Sequence, residues 1–163
     1  MVRQMLLERV LPAYRFREIH ETFVNASPDR VFEALRDLRP ADAPIIGMLM
    51  TLRSLPAFFS GRKGYALGDS KAPFLSEIER TGFLLLDQET NSEIVLGIVG
   101  KFWKASGHLC PHVTTAGQFV EFEEEGWAKA AWNFLLEPAE GGTRLVTETR
   151  IAVFGTLTTR KFG

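Results

Sequence analysis

Alternation is the dominant pattern in the C-terminal half of the chain. GGTRLVTETRIAV, residues 141–153, switches between apolar and polar at almost every step. Arg144, Glu148 and Arg150 mark one face; Leu145, Thr147, Thr149, Ile151 and Val153 mark the other. A period of two predicts a strand with one side buried. The preceding run, WAKAAWNFLLE at 127–137, has Ala128, Ala130, Trp132, Phe134 and Leu136 on one face, and Lys129, Asn133 and Glu137 on the other. PAEGG, 138–142, is the turn between them. A one-residue slip would set Glu148 and Arg150 beside Trp132, so polarity fixes the register. Phe134 is expected near Thr147, and Trp132 near Thr149. Lys129, Asn133, Glu148 and Arg150 are expected to share the outer face.

GFLLLDQE (82–89) and SEIVLGIVGKFW (92–103) predict a hairpin across Thr90-Asn91. In its second strand, Ile94, Leu96, Ile98 and Phe102 suit the inner face. That leaves Val95, Val99 and Trp103 outside, which is too apolar for a solvated surface. A bulge at Gly97 or Gly100 that re-aims Trp103 is the preferred account, and a covering partner the alternative. QFVEF (118–122) reads as another strand, and Gly126 after EEE as a turn glycine with positive φ. Upstream, AYRFREIHETFVN (13–25) reads as an edge strand. Tyr14, Phe16, Glu18, His20, Thr22 and Val24 share one face, and Arg15, Arg17, Ile19, Glu21 and Phe23 the other.

Helical spacing is confined to the segment after that strand. In ASPDRVFEALRDL, Ser27 is an N-cap, Pro28 suits the first helical position and Asp29 the positive end of the dipole. Val31, Phe32, Ala34, Leu35 and Leu38 form its apolar stripe. A second helix is predicted within 43–58, a glycine-rich loop at 60–70 and a short helix at 73–80. The loop lacks the Gly-Lys-Ser/Thr ending of a phosphate cradle. The result is α+β: a curved antiparallel sheet of about six strands, with two helices after the first strand, in one domain spanning 1–163.

Composition narrows the function classes. Nineteen basic residues balance 20 acidic ones, which gives no charge argument for nucleic acid or an anionic membrane. One cysteine excludes an intrachain disulfide and fits a reducing, cytoplasmic compartment. The longest apolar run, PIIGMLM, is far below the roughly 20 residues of a membrane span. The N-terminal MVRQMLLERVLP lacks a signal-peptide core. Thirteen phenylalanines against two tyrosines favour either a Phe-rich core or an apolar cavity.

Candidate chemistry is sparse. HLCPH sets His108, Cys110 and His112 close together, but without usual zinc spacing or a fourth ligand, so no metal or cofactor is expected. A Cys-His nucleophile lacks a visible orienting group. His20 shares its face with Phe16 and Glu18, and is the best acid/base candidate if there is a pocket. Thr147 and Thr149 are either strand formers with packed methyls or polar hooks in an apolar pocket.

ASPDRVFEAL straight after the first strand, with EIVLGIVGKFW, EGWAKAAWNFLLEP and GGTRLVTETRI, resembles the START-like, helix-grip (SRPBCC) superfamily. That group includes polyketide cyclases, lipid-transfer domains and plant pathogenesis-related allergens. The likeness covers roughly residues 14–160 and looks like a bacterial branch with no established reaction. It implies a ligand cavity between the sheet and a long C-terminal helix. Only GTLTTRKFG follows Phe154, too short for that helix, so the inner face is expected to open to water and to dimerise or take a covering segment. The expected ligand is a small apolar molecule or lipid, bound by Phe16, His20, Leu96, Ile98, Phe102, Trp132, Phe134, Thr147 and Thr149. The alternatives are a cyclase or dehydratase with His20 as general base, and a protein-interaction module using the groove.

Overall fold

The computed structural model describes residues 4–37, 83–101 and 108–155. The expectations for residues 43–58, 60–70 and 73–80, for Phe102 and Trp103, and for a missing C-terminal helix lie outside these residues. In chain order the elements are α1 (Leu6–Val10), β1 (Phe16–Val24), α2 (Pro28–Asp37), β2 (Leu84–Glu89) and β3 (Glu93–Lys101). They continue with β4 (His108–Leu109), α3 (Ala116–Glu121), β5 (Ala128–Ala139) and β6 (Gly142–Val153).

The strands form one antiparallel sheet in the order β1-β6-β5-β3-β2, with the short β4 pairing the end of β3. This is the expected α+β class. The β5–β6 register is the one polarity dictates: Trp132 lies opposite Thr149, and Leu135 opposite Val146. These flanking pairs set Phe134 opposite Thr147. Asn91 takes φ of 59° in the β2–β3 turn, and Gly126 and Gly141 take 80° and 78°.

Both faces of the sheet are covered. On one, Val31, Phe32 and Leu35 of α2 pack with Ile94, Leu96, Trp132, Phe134, Leu145 and Ile151. Helix α2 starts as expected: the Ser27 carbonyl accepts from Val31 N–H at 3.0 Å. The Ser27 hydroxyl helps hold the Asp29 carboxyl below its ordinary value. On the other face, Leu6, Leu7, Val10 and Leu11 join Val95, Val99, Phe119, Phe122 and Ala131.

That second core corrects two expectations. Val95 and Val99 are buried beneath the chain's own α1 and α3. The expected bulge is absent from the β3–β5 pairing, which runs without a break from Glu93 to Gly100; the irregularity lies in β2, between Leu85 and Asp87. Gly97 serves packing instead. A Cβ there would sit 2.5 Å from Leu86 Cδ1 and 2.9 Å from Phe119 Cε2. QFVEF is not a strand but most of α3. Thr115 and Gln118 form a reciprocal capping box, which outweighs the β-rich look of Phe and Val. On the first face, Trp132, Phe134, Leu145 and Ile151 are buried rather than open to water, with α2 packed over them.

Candidate functional site

The α2 face of the sheet carries eight of the nine residues expected to line a ligand site, in three adjacent rows; the ninth, Phe102, lies outside the described residues. Pairing across β1, β6, β5 and β3 gives the row Glu18–Thr149–Trp132–Leu96. To one side runs Phe16–Ile151–Ala130–Ile98. To the other, His20 lies opposite Thr147, and Phe134 opposite Ile94. Strand parity puts all these side chains on one face. Leu96, Ile98, Phe134 and Thr147 are buried, while Phe16 and His20 at the β1 edge are partly exposed.

Two polar atoms stand out in this apolar layer. Trp132 Nε1 and Thr149 Oγ1 are buried and have no hydrogen-bond partner among the described residues. Their residues are 8% and 4% exposed. The two residues lie opposite each other across β5 and β6, where paired Cβ atoms are about 4.5–5.5 Å apart. An unpaired buried donor or hydroxyl costs about 1–3 kcal/mol. Trp132 also meets Phe83 edge-on, with ring centroids 5.0 Å apart and planes at 82°, but a ring face is at best a weak acceptor. The third buried unpaired atom, Ser92 Oγ, lies at the β2–β3 turn.

At the β1 edge of the same face, His20 Nε2 lies 3.0 Å from Glu18 Oε1. The two side chains are 40% and 29% exposed. Glu18 thus orients the imidazole. The alternation of β1 showed both residues on one face, and their contact follows from that spacing.

The opposite face holds a polar network that the alternation located without revealing its burial. Glu93, fully buried, accepts from the Leu6 and Leu7 N–H groups at 2.7 and 3.2 Å and from Asn133 Nδ2 at 2.7 Å. Asn133 Oδ1 accepts from Glu148 N–H at 2.9 Å. The Glu148 carboxylate receives Arg17 Nε at 2.8 Å and Arg150 Nε at 2.6 Å. Arg150 also donates to the Leu11 carbonyl at 3.1 Å and stacks over Tyr14. Burial pushes the Glu148 carboxyl up, but the hydrogen bonds and charges of Arg17 and Arg150 outweigh it and leave it below its ordinary value. Lys129 donates to the Phe119 and Val120 carbonyls at the end of α3, at 3.0 and 2.9 Å. Burial lowers its pKa. Asn133, Glu148, Arg150 and Lys129 thus share a face as expected, but they are buried and clamp α1 and α3 onto it.

The HLCPH segment is partly buried. Cys110 is buried, 3.3 Å from His112 Nε2, which lies 3.0 Å from Glu124 Oε1. Glu124 is an orienting group that sequence spacing did not reveal. The arrangement is still poor for nucleophilic catalysis. Sγ lies almost equally far from both imidazole nitrogens, 3.5 Å from Nδ1 and 3.3 Å from Nε2, whereas a relay holds the nucleophile on one nitrogen and the carboxylate on the other. Burial also raises the thiol pKa, away from thiolate. Among the described residues no group of three or more His, Cys, Asp or Glu is placed to hold a metal ion. No helix among them is long and apolar enough to cross a membrane.

No protein-family model matches the chain, and no curated protein matches it. Among solved structures, the crystal structure of the Mll3558 protein from Rhizobium loti is similar at 17% identity. The match spans 89% of this chain and 85% of that one, with a TM-score of 0.38. At that distance no residue role passes from it to this chain.

Proposed function

We propose that this protein binds a small hydrophobic or amphipathic ligand on the α2 face of its sheet, as a non-catalytic carrier or sensor. The observation that carries this reading is the pair of buried, unpaired atoms, Trp132 Nε1 and Thr149 Oγ1, in an otherwise apolar layer. Binding sites for such ligands are mostly apolar with a few placed polar groups. Apolar contact supplies affinity at about 25 cal/mol per Å² buried. The two unpaired atoms supply orientation. The order β1, α2 and an antiparallel meander supports a START-like relationship. The single free cysteine fits a cytoplasmic setting.

Native mass spectrometry of the purified protein, followed by denaturing extraction, tests the reading. A stoichiometric small molecule released on denaturation is the expected result. A chain that is empty as purified and takes up no added amphiphile contradicts it.

A catalytic alternative rests on the His20–Glu18 contact, which presents an oriented imidazole beside the same face. In that case wild-type protein releases substrate and product together, and His20→Gln releases substrate alone. Identical extracts from both proteins leave the carrier reading.

A further inference from the structure

We infer that the ligand's polar group is a neutral carbonyl oxygen, accepting hydrogen bonds from both Trp132 Nε1 and Thr149 Oγ1; this rests on the binding reading above. The indole N–H only donates, so its partner must be an acceptor. A hydroxyl can donate as well, and a carbonyl oxygen has two lone pairs, enough for both donors. A ligand amine or ammonium cannot accept from both.

Charge separates a carbonyl from a carboxylate. The arginines of β1 and β6, namely Arg17, Arg144 and Arg150, have the parity of the opposite face, and all three bond carboxylates there or at the sheet margin. The row that holds Trp132 and Thr149 ends instead in Glu18, directly opposite Thr149. A ligand carboxylate would enter an apolar layer beside another carboxylate and lose its hydration there. A ketone, ester or amide carbonyl meets neither cost. The aliphatic or aromatic remainder would lie along Leu96, Ile98 and Phe134, which carry no polar side-chain atoms.

The test uses three probes of one chain length, 2-octanone, octanoate and octylamine. Each competes with the neutral fluorophore N-phenyl-1-naphthylamine for the intact protein. The expected result is displacement by 2-octanone at about ten-fold lower concentration than by either charged probe, the size of one well-made buried hydrogen bond. Trp132→Phe keeps an aromatic ring without the N–H, and Thr149→Val keeps the shape without the hydroxyl. Taken as a ratio of midpoints within each variant, the ketone preference should collapse toward unity in both. If Trp132→Phe fails to fold, Thr149→Val decides alone. The infrared carbonyl stretch of bound 2-octanone should also be lower in wild type than in Thr149→Val.

Octanoate or octylamine binding as well as the ketone would overturn the carbonyl assignment while leaving an apolar site. So would a preference that survives in both variants. No binding of the fluorophore or of any of the three probes would overturn the binding reading itself, and the carbonyl assignment with it.

Discussion

Thr149 is a costly residue for an empty protein. Its hydroxyl is buried and unpaired, while a valine of the same shape would fit the layer without a polar atom to satisfy. Thr149→Val is expected to stabilise the ligand-free chain by about 1 kcal/mol, or about 3 °C in Tm for a domain of this size. It should also weaken retention of the native ligand. Thermal denaturation of extracted protein, with and without ligand added back, checks both effects. A stability loss in the empty variant would mean that the hydroxyl has a partner at home. Glu93 behaves in the opposite sense. Glu93→Ala strands the Leu6 and Leu7 N–H groups and Asn133 Nδ2. A loss of about 3 kcal/mol is expected in urea denaturation. A loss under 1 kcal/mol would mean that water reaches these groups.

The two short helices decide which residues are inside on the second face. Helix α3 is only Ala116–Glu121, yet it buries Phe119 completely over Gly97. Gly97→Ala must push Leu86 and Phe119 aside, and a loss of about 2 kcal/mol is expected by urea denaturation, as for other overpacked cores. A neutral result would show that α3 moves freely. Behind α1, Arg150 bonds both the Leu11 carbonyl and Glu148, and Glu148 makes the stability of the fold depend on pH. Glu148 has a folded pKa below its unfolded value of about 4.3. Its contribution is therefore complete above that unfolded value and is lost as pH falls through the lower, folded one. Arg17→Met removes one of the groups that lower the folded pKa, so the acid loss should be smaller and end at higher pH than in wild type. Urea midpoints from pH 8 to pH 3 for the two proteins test the sign. Superimposable acid limbs would show that Arg17 does not act on Glu148.

At the scale of the whole molecule, the sheet was legible in the sequence and its second layer was not. Where each strand has one pure apolar face, as at Ala128–Leu136 and Leu145–Val153, alternation settled both direction and register. The same logic failed on β3, whose every residue from Glu93 to Gly100 is buried. A strand covered on both sides has no alternation to read. The covering pieces are five and six residues long, too short for a periodic signal. Their signs were chemical: the Thr115–Gln118 capping box, and a glycine at the point of closest approach. The polar clamp was hidden for a related reason. Asn133, Glu148 and Arg150 look solvated in sequence, and only their mutual hydrogen bonds allow them to be buried. The site residues were legible as a face, because strand parity groups them. That two of the polar atoms in that face have no partner depends on three-dimensional packing, which no spacing rule conveys.

The central claim is that Trp132 and Thr149 are the polar contacts of an apolar ligand site. The most direct measurement follows the indole N–H of Trp132 by ¹H–¹⁵N correlation NMR while 2-octanone is added to ligand-free protein. The resonance is assigned by its loss in Trp132→Phe. The account predicts a saturable downfield shift of the Trp132 proton as the carbonyl accepts its hydrogen bond. The resonance of Trp127, which packs in the opposite core, should stay in place. A Trp132 resonance that never moves, or a saturable shift at Trp127 instead, would contradict it.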